Sequence, residues 1–382
     1  MPTTYHLLTE GEPFSEFKGG AISRWCANVL RDDSEAVVVT PFADESWGFP
    51  KNRVIAIAEL QTYARFRKGV GRYCPRAIRR VVLGRIFKSF LARLKPGDIV
   101  WQHNRPEFAS VLERGVHAAG GRLVLHMQNS HLLHWVRTAS RMELDHIVFC
   151  SNFLKQEAEY NCGSMANAAV LYNGADQKLF YPPMQLRESK PEPVILLASR
   201  LVPDKGIHIF LEAMKLLQRR GVLARARIIG VSGFGGSSDT DYVRRLRTEA
   251  PPSVGFEGYC VGAELAEKFR EADVFCLPSI WNDPFPLTTL EAMASGLPIV
   301  ATQSGGIPEA VQGGSGMLVP RGSVDDLANA LELLVRNSEM RSAMGQSGYR
   351  SFKQNFTWTA VRREYTALLQ SLTTCSNLAH SV

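Results

Sequence analysis

Short apolar runs of about four or five residues alternate along nearly the whole chain with longer stretches whose apolar positions recur every three or four residues. The runs suit strands buried on both faces, and the spaced stretches suit helices that cover them. Their regular alternation predicts βαβ units and parallel sheets. In the first half strands are expected at Tyr5–Leu8, Ala36–Thr40, Val54–Ala58, Ile99–Trp101, Leu123–Leu125, His146–Cys150 and Ala169–Leu171, with helices at Ala21–Leu30, Arg76–Leu94 and Phe108–Ala119. Four prolines and several charges then break the pattern over Tyr181–Pro193, which reads as a linker. The alternation restarts with strands at Val194–Ala198, Ala226–Ile229, Val274–Leu277, Pro298–Ala301 and Gly316–Val319. Helices are expected at Gly206–Arg219, Asp241–Ala250, Ala263–Ala272, Leu287–Ala294 and Val324–Val335, and a last helical stretch over 338–372 is interrupted near Phe356-Thr357-Trp358. The reading is an α/β chain of two Rossmann-like domains, 1–181 and 182–355, followed by a helical segment, 356–382.

Length and composition agree. The 382 residues exceed what one ordinary core organises, and the hydrophobic and charged fractions of 45% and 21% are those of a globular protein. Glu10, Glu12 and Glu16 interrupt the first thirty residues, which do not read as a signal peptide, and no run reaches the ~18 apolar residues of a membrane span. Seven scattered cysteines without a C-x-x-C pair fit reduced thiols, so a cytoplasmic protein is expected.

Charge adds one feature. Between Glu59 and Asp98 there is no acid, while eleven cations from Arg65 to Lys95 fall in that window, more than the net charge of +7 for the whole chain. They are interleaved with Ile78, Val81, Val82, Phe87 and Phe90 at helical spacing. A basic amphipathic helix of this kind suits an anionic membrane surface, and equally a solvated helix with one face in the core. The aromatics are not arranged as a base-stacking platform, so nucleic acid is not an expected partner.

The candidate chemistry sits in the second half. Asp283 and Glu291 stand eight positions apart, the first before an expected helix and the second two turns along it, so that each can hold a different part of one polar ligand. Gly305-Gly306 follows the next strand, where backbone can approach a ligand without an intervening Cβ. Arg200 and Lys205 lie in Ala198-Ser-Arg-Leu-Val-Pro-Asp-Lys-Gly206, between a strand and a helix, and a guanidinium fork with a point charge suits a diphosphate. In the first half, Lys18-Gly19-Gly20 precedes a helix start, a place where backbone N–H groups bind anions. His126, in Leu-His-Met-Gln-Asn129, follows an expected strand, as does His103. His126, His131 and His134 lack a cysteine or carboxylate to complete a zinc set, and no D-x-D motif follows a strand, so no metal is expected at the diphosphate.

Taken in order across the chain, these segments resemble retaining, nucleotide-sugar-dependent glycosyltransferases of the family-4 type (glycosyl transferases group 1). The Asp283–Glu291 segment resembles the family's E-x7-E region, and Asn173-Gly174-Ala175-Asp176 also fits the family. The resemblance implies the GT-B fold, two Rossmann-like domains whose parallel sheets face a central cleft, with the last helix crossing back to the first domain. It implies that Arg200 and Lys205 hold the donor phosphates together with backbone at Gly19, Gly20, Gly305 and Gly306. It also implies that Glu291 holds the ribose, that Asp283 contacts the transferred sugar and that His126 points beside that sugar. Asn129, Phe285 and Leu287 complete the expected binding set. Two departures bear on the sugar: Asp283 replaces the commoner Glu, and Pro286, which has no N–H, replaces a usual Gly.

The expected reaction is retaining, metal-independent transfer of a hexose or N-acetylhexosamine from a nucleoside diphosphate sugar, UDP first among them. The acceptor is a saccharide or lipid-linked saccharide, in bacterial lipopolysaccharide or polysaccharide assembly on the inner face of the membrane. No cofactor beyond the co-substrate is implied. A nucleotide-sugar epimerase on the same fold, or a non-catalytic membrane-surface scaffold with a degenerate donor cleft, fits the same residues.

Overall fold

In the computed structural model, residues 2–16, 18, 20–130, 143–184, 190–233 and 239–379 are described. The chain folds as two compact units, Met1–Tyr172 with Val361–Val382, and Asn173–Ala360.

The first unit holds a seven-stranded parallel sheet in the order β3-β2-β1-β4-β5-β6-β7. Its strands are β1 (Thr4–Leu7), β2 (Ala36–Thr40), β3 (Val54–Ala56), β4 (Ile99–His103), β5 (Arg122–Met127), β6 (His146–Phe149) and β7 (Ala168–Val170). The helices are α1 (Ala21–Val29), α2 (Glu59–Lys68), α3 (Arg76–Leu91), α4 (Pro106–Ala118) and α5 (Asn152–Cys162). The central strand β4 is buried along its whole length, Gln102 and His103 included, as a sheet covered on both sides requires. α1 turns Trp25, Cys26 and Val29 inward. α3 divides its residues as a half-buried helix must: Leu83, Phe87 and Phe90 are buried, with Phe87 edge-on to Phe108 at 5.2 Å. Ile78 and Val81 are exposed beside Arg76 and Arg80. The basic window is therefore part core and part surface.

The second unit holds a six-stranded parallel sheet in the order β10-β9-β8-β11-β12-β13. The strands are β8 (Val194–Ala198), β9 (Arg225–Ile229), β10 (Val254–Gly258), β11 (Val274–Leu277), β12 (Ile299–Thr302) and β13 (Gly316–Val319). Its helices are α6 (Ile207–Arg219), α7 (Asp241–Glu249), α8 (Gly262–Glu271), α9 (Leu287–Ala294), α10 (Ile307–Ala310), α11 (Val324–Arg336) and α12 (Ser338–Asn355). Ile195, Leu197, Phe210, Met214, Ile228 and Leu331 are central to the core between strands and helices. The last helix, α13 (Trp358–Ala379), begins in this unit, and from Val361 its residues belong to the first.

The boundary falls at Tyr172/Asn173, earlier than the proline-rich stretch suggests. Asn173–Phe180 is held within the second unit: the Ala175 N–H donates to the Phe356 carbonyl at 3.0 Å, and Phe180 stacks edge-on to Phe269 at 5.4 Å. Gly174 lies so close under Trp358 that an added Cβ would sit 2.8 Å from the indole. Composition marks where a chain can bend; here packing decides where the unit begins.

Candidate functional site

In an open parallel sheet, ligands bind beyond the carboxyl ends of the strands where the strand order reverses. In the second unit that reversal lies between β8 and β11. The loops leaving these two strands carry Arg200 and Lys205 on one side and Asp283 on the other. The Pro203–Lys205 3-10 turn ends at Gly206, whose φ of 68° is left-handed and opens α6. A side chain there is excluded, because a Cβ would lie 1.9 Å from the Pro278 carbonyl oxygen. The Asp204 carbonyl accepts N–H groups from Ile280 and Trp281 at 2.9 and 3.2 Å, stitching the two loops together. The result is an ion pair between Lys205 Nζ and Asp283 Oδ2, both side chains largely buried.

The loop after β12 fixes this arrangement. Gly305 has φ of 58°, and its bare Cα lies against the Asp283 backbone. The Gly306 amide donates to the Asp283 carbonyl at 2.8 Å. In this structure Gly306 therefore anchors the Asp283 loop and does not present its N–H to a ligand, a correction to the expected role. Glu291 is buried on α9, only 4% exposed, and Leu287 opens that helix half-buried. Phe285 is buried too, its ring 5.7 Å from that of Phe356, so it packs against the chain's own aromatic. Arg200 is exposed. Arg200, Lys205, Asp283, Glu291, Gly305 and Gly306 thus occupy one end of one sheet and its covering helix. They supply two cations for an anionic ligand and two carboxylates for hydroxyl groups.

The first-unit candidates fare differently. Gly19 lies outside the described residues, as do His131 and His134. Gly20 precedes α1, but the helix start is already taken by the chain itself. The Ser23 N–H donates to Glu12 Oε1 at 2.9 Å, and a Cβ on Gly20 would approach that oxygen to 2.9 Å. Burial pushes the Glu12 carboxyl up from its ordinary range, partly offset by the backbone N–H groups of Ser23, Ile22 and Gly20. An anion at this helix start meets a carboxylate that holds the same donors.

His126 is not at a strand end. β5 runs on to Met127, and His126 pairs in register with His103 inside the sheet. It is wholly buried, 5.2 Å from Trp25 and edge-on to Trp101, and its side chain does not reach solvent. Burial pushes its imidazole down to about 3. The residues that do leave β5 are Gln128 and Asn129. Asn129 is half-buried, and buried Gln128 has neither amide atom hydrogen-bonded among the described residues. Sequence reading passed over Gln128, which is marked only by lying two residues beyond His126.

Comparison with known proteins agrees with the second-unit geometry. Residues 183–351 match the family model of glycosyl transferases group 1. YtcC of Bacillus subtilis (strain 168), provisionally named a glycosyltransferase, is 26% identical over 303 residues, 73% of this chain and 74% of that protein. WcaL of Escherichia coli (strain K12), provisionally named a colanic acid biosynthesis glycosyltransferase, is 31% identical over 216 residues. That alignment covers 53% of this chain and only 51% of WcaL, so this chain spans about half the length of that relative. Among solved structures, Anabaena HepE in complex with UDP and glucose superposes with a TM-score of 0.72 at 21% identity, covering 97% of this chain and 100% of that one. The fold is accordingly GT-B, two Rossmann-like domains with parallel sheets.

Proposed function

We propose, from a second unit that matches glycosyl transferases group 1 over residues 183–351, that this chain is a retaining glycosyltransferase. It moves a hexose or N-acetylhexosamine from a nucleoside diphosphate sugar, UDP first among them, to a saccharide or lipid-linked saccharide. The polysaccharide named for its relative WcaL supports surface-polysaccharide assembly as the setting. The observation that carries the reading is the Lys205–Asp283 pair held at the switch point of the sheet by Gly206, Gly305 and Gly306.

The chemistry follows from that pair. A donor diphosphate competes with Asp283 for the Lys205 ammonium and recruits Arg200. As the C1–O bond to the diphosphate breaks, negative charge grows on the leaving phosphate, where fixed cations are most effective. Asp283, released from Lys205, accepts hydrogen bonds from the sugar, and Glu291 from the ribose. The acceptor oxygen bonds to C1 on the face the diphosphate leaves, and its proton passes to the departing phosphate oxygen. Lys205 and Arg200 do the work of a divalent ion in this scheme, so no added metal is required. Proton NMR of the product tests the stereochemistry: the anomeric configuration of the donor is expected to persist, and an inverted product contradicts the reading.

For a lipid-linked acceptor, the surface of α3 supplies an approach to the membrane. Ile78 and Val81 on this helix are exposed, at 52% and 57%, beside Arg76 and Arg80, and Tyr73, in the turn just before it, is exposed at 76%. Cosedimentation with phosphatidylglycerol vesicles, and not with phosphatidylcholine vesicles, is expected, and should weaken in Arg76→Glu/Arg80→Glu. Equal recovery with both vesicle types removes this surface from the reading. No helix among the described residues is long and apolar enough to cross a membrane.

A further inference from the structure

Inside the first unit, three buried donors converge from separate elements: His6 on β1, Cys26 on α1 and His103 on β4. His6 Nδ1 stands 3.2 Å from His103 Nε2, and Cys26 Sγ stands 3.7 Å from that same nitrogen. All three atoms lie within 4.8 Å of one another, and none of the three residues reaches solvent. Two imidazole nitrogens about 2.0–2.1 Å from one tetrahedral zinc ion are about 3.3 Å apart, and a thiolate at about 2.3 Å is about 3.6 Å from each. The two separations measured from His103 Nε2, 3.2 and 3.7 Å, match those of ligands already set around an ion.

The surroundings fit as well. His6 Nε2 is 2.8 Å from the Tyr365 hydroxyl, the outer hydrogen bond that turns the other ring nitrogen inward. His126 lies alongside, its ring centre 5.1 Å from that of His103, buried and without a hydrogen-bond partner for either nitrogen among the described residues. A plain hydrogen-bond chain accounts for less of this. In the tautomer with the proton on His6 Nδ1, that N–H and the Cys26 S–H compete for one lone pair on His103 Nε2, and in every tautomer both His126 nitrogens stay unpartnered among the described residues. Convergent lone pairs are what a cation satisfies.

We propose that His6, Cys26 and His103 hold a structural transition-metal ion of the zinc and copper(I) class, with His126 turning in as the fourth ligand. Mixed imidazole and thiolate donors select that class. A buried, closed set of this kind is structural, tying β1, β4 and α1 together, and takes no part in glycosyl transfer. The proposal stands apart from the function proposed above.

The full chain expressed in zinc-supplemented medium and desalted tests it by elemental analysis. About one equivalent of zinc per chain is expected, released on folding failure and absent from Cys26→Ser. One equivalent of copper lost in the same variant supports the site equally. Refolding with cobalt should give a thiolate-to-metal charge-transfer band that Cys26→Ser lacks. Should that variant not fold, X-ray absorption of the wild type at the metal edge reads the ligands directly, with one sulfur and otherwise nitrogen expected. A metal-free wild type with no cobalt band, undiminished metal in Cys26→Ser, or a shell of oxygen alone overturns the proposal.

Discussion

Lys205→Ala is expected to lower turnover about 10²–10³-fold, the range for removing one fixed donor from a developing anion. The same substitution strips Asp283 of its partner, and an unpaired, largely buried carboxylate destabilises the unit by about 3–5 kcal/mol. Two further variants separate these effects. Lys205→Ala/Asp283→Asn removes the orphaned charge, so thermal stability should recover while turnover stays low. Arg200→Ala alters an exposed side chain and should melt like the wild type yet lose turnover in the same direction. Release of nucleoside diphosphate from the donor measures all three. Wild-type turnover in both Lys205→Ala and Arg200→Ala would sink the phosphate assignment.

Gly305→Ala should destabilise the second unit by about 3 kcal/mol or more and abolish most turnover. The left-handed conformation alone costs a side-chain-bearing residue about 1–2 kcal/mol. Here the new Cβ would also fall 2.0 Å from the Asp283 carbonyl oxygen and 2.6 Å from its nitrogen, so the Asp283 backbone must move and the Gly306 hydrogen bond must break. Gly313→Ala is the internal control. Gly313 is equally left-handed, with φ of 63°, but no atom lies within 4 Å of its would-be Cβ. It should show the conformational cost alone. For a unit of this size each kcal/mol shifts the melting temperature by roughly 2–4 °C, so the two variants are readily told apart. Equal melting temperatures would mean that the Gly305 turn is not tied to Asp283.

These expectations rest on parts of the molecule that were unequally legible in the sequence. Strands that pass through the core as unbroken apolar runs were plain: Ala36–Thr40, Val194–Ala198, Val274–Leu277 and Gly316–Val319 form as read. β10 was not, because Gly255, Glu257 and Gly258 erase the run, and the strand is held by pairing with β9. α2 and α5 bury only two residues each, Leu60 and Tyr63, Leu154 and Ala158, too few to impose a period. Arg200, Lys205 and Asp283 stood out in loops between a strand and a helix, and Glu291 on the helix that follows, eight positions beyond Asp283. What local sequence could not show is that Lys205 and Asp283, seventy-eight positions apart, meet each other. Ending the fifth strand at its first polar residue misplaced His126. The strand runs on through His126 to Met127, buried from Leu123 onward, with His103 opposite His126 on the adjacent strand.

The second unit is proposed to bind a nucleoside diphosphate sugar through Lys205 and Arg200. The direct measurement is a thermal-shift and hydrolysis screen of the purified chain against UDP-, GDP- and ADP-sugars without added metal, run beside Lys205→Ala/Asp283→Asn. A shift with one nucleotide family, slow release of that nucleoside diphosphate, and loss of both in the double variant are the predicted result. No shift with any donor, or a shift the double variant keeps in full, would contradict it.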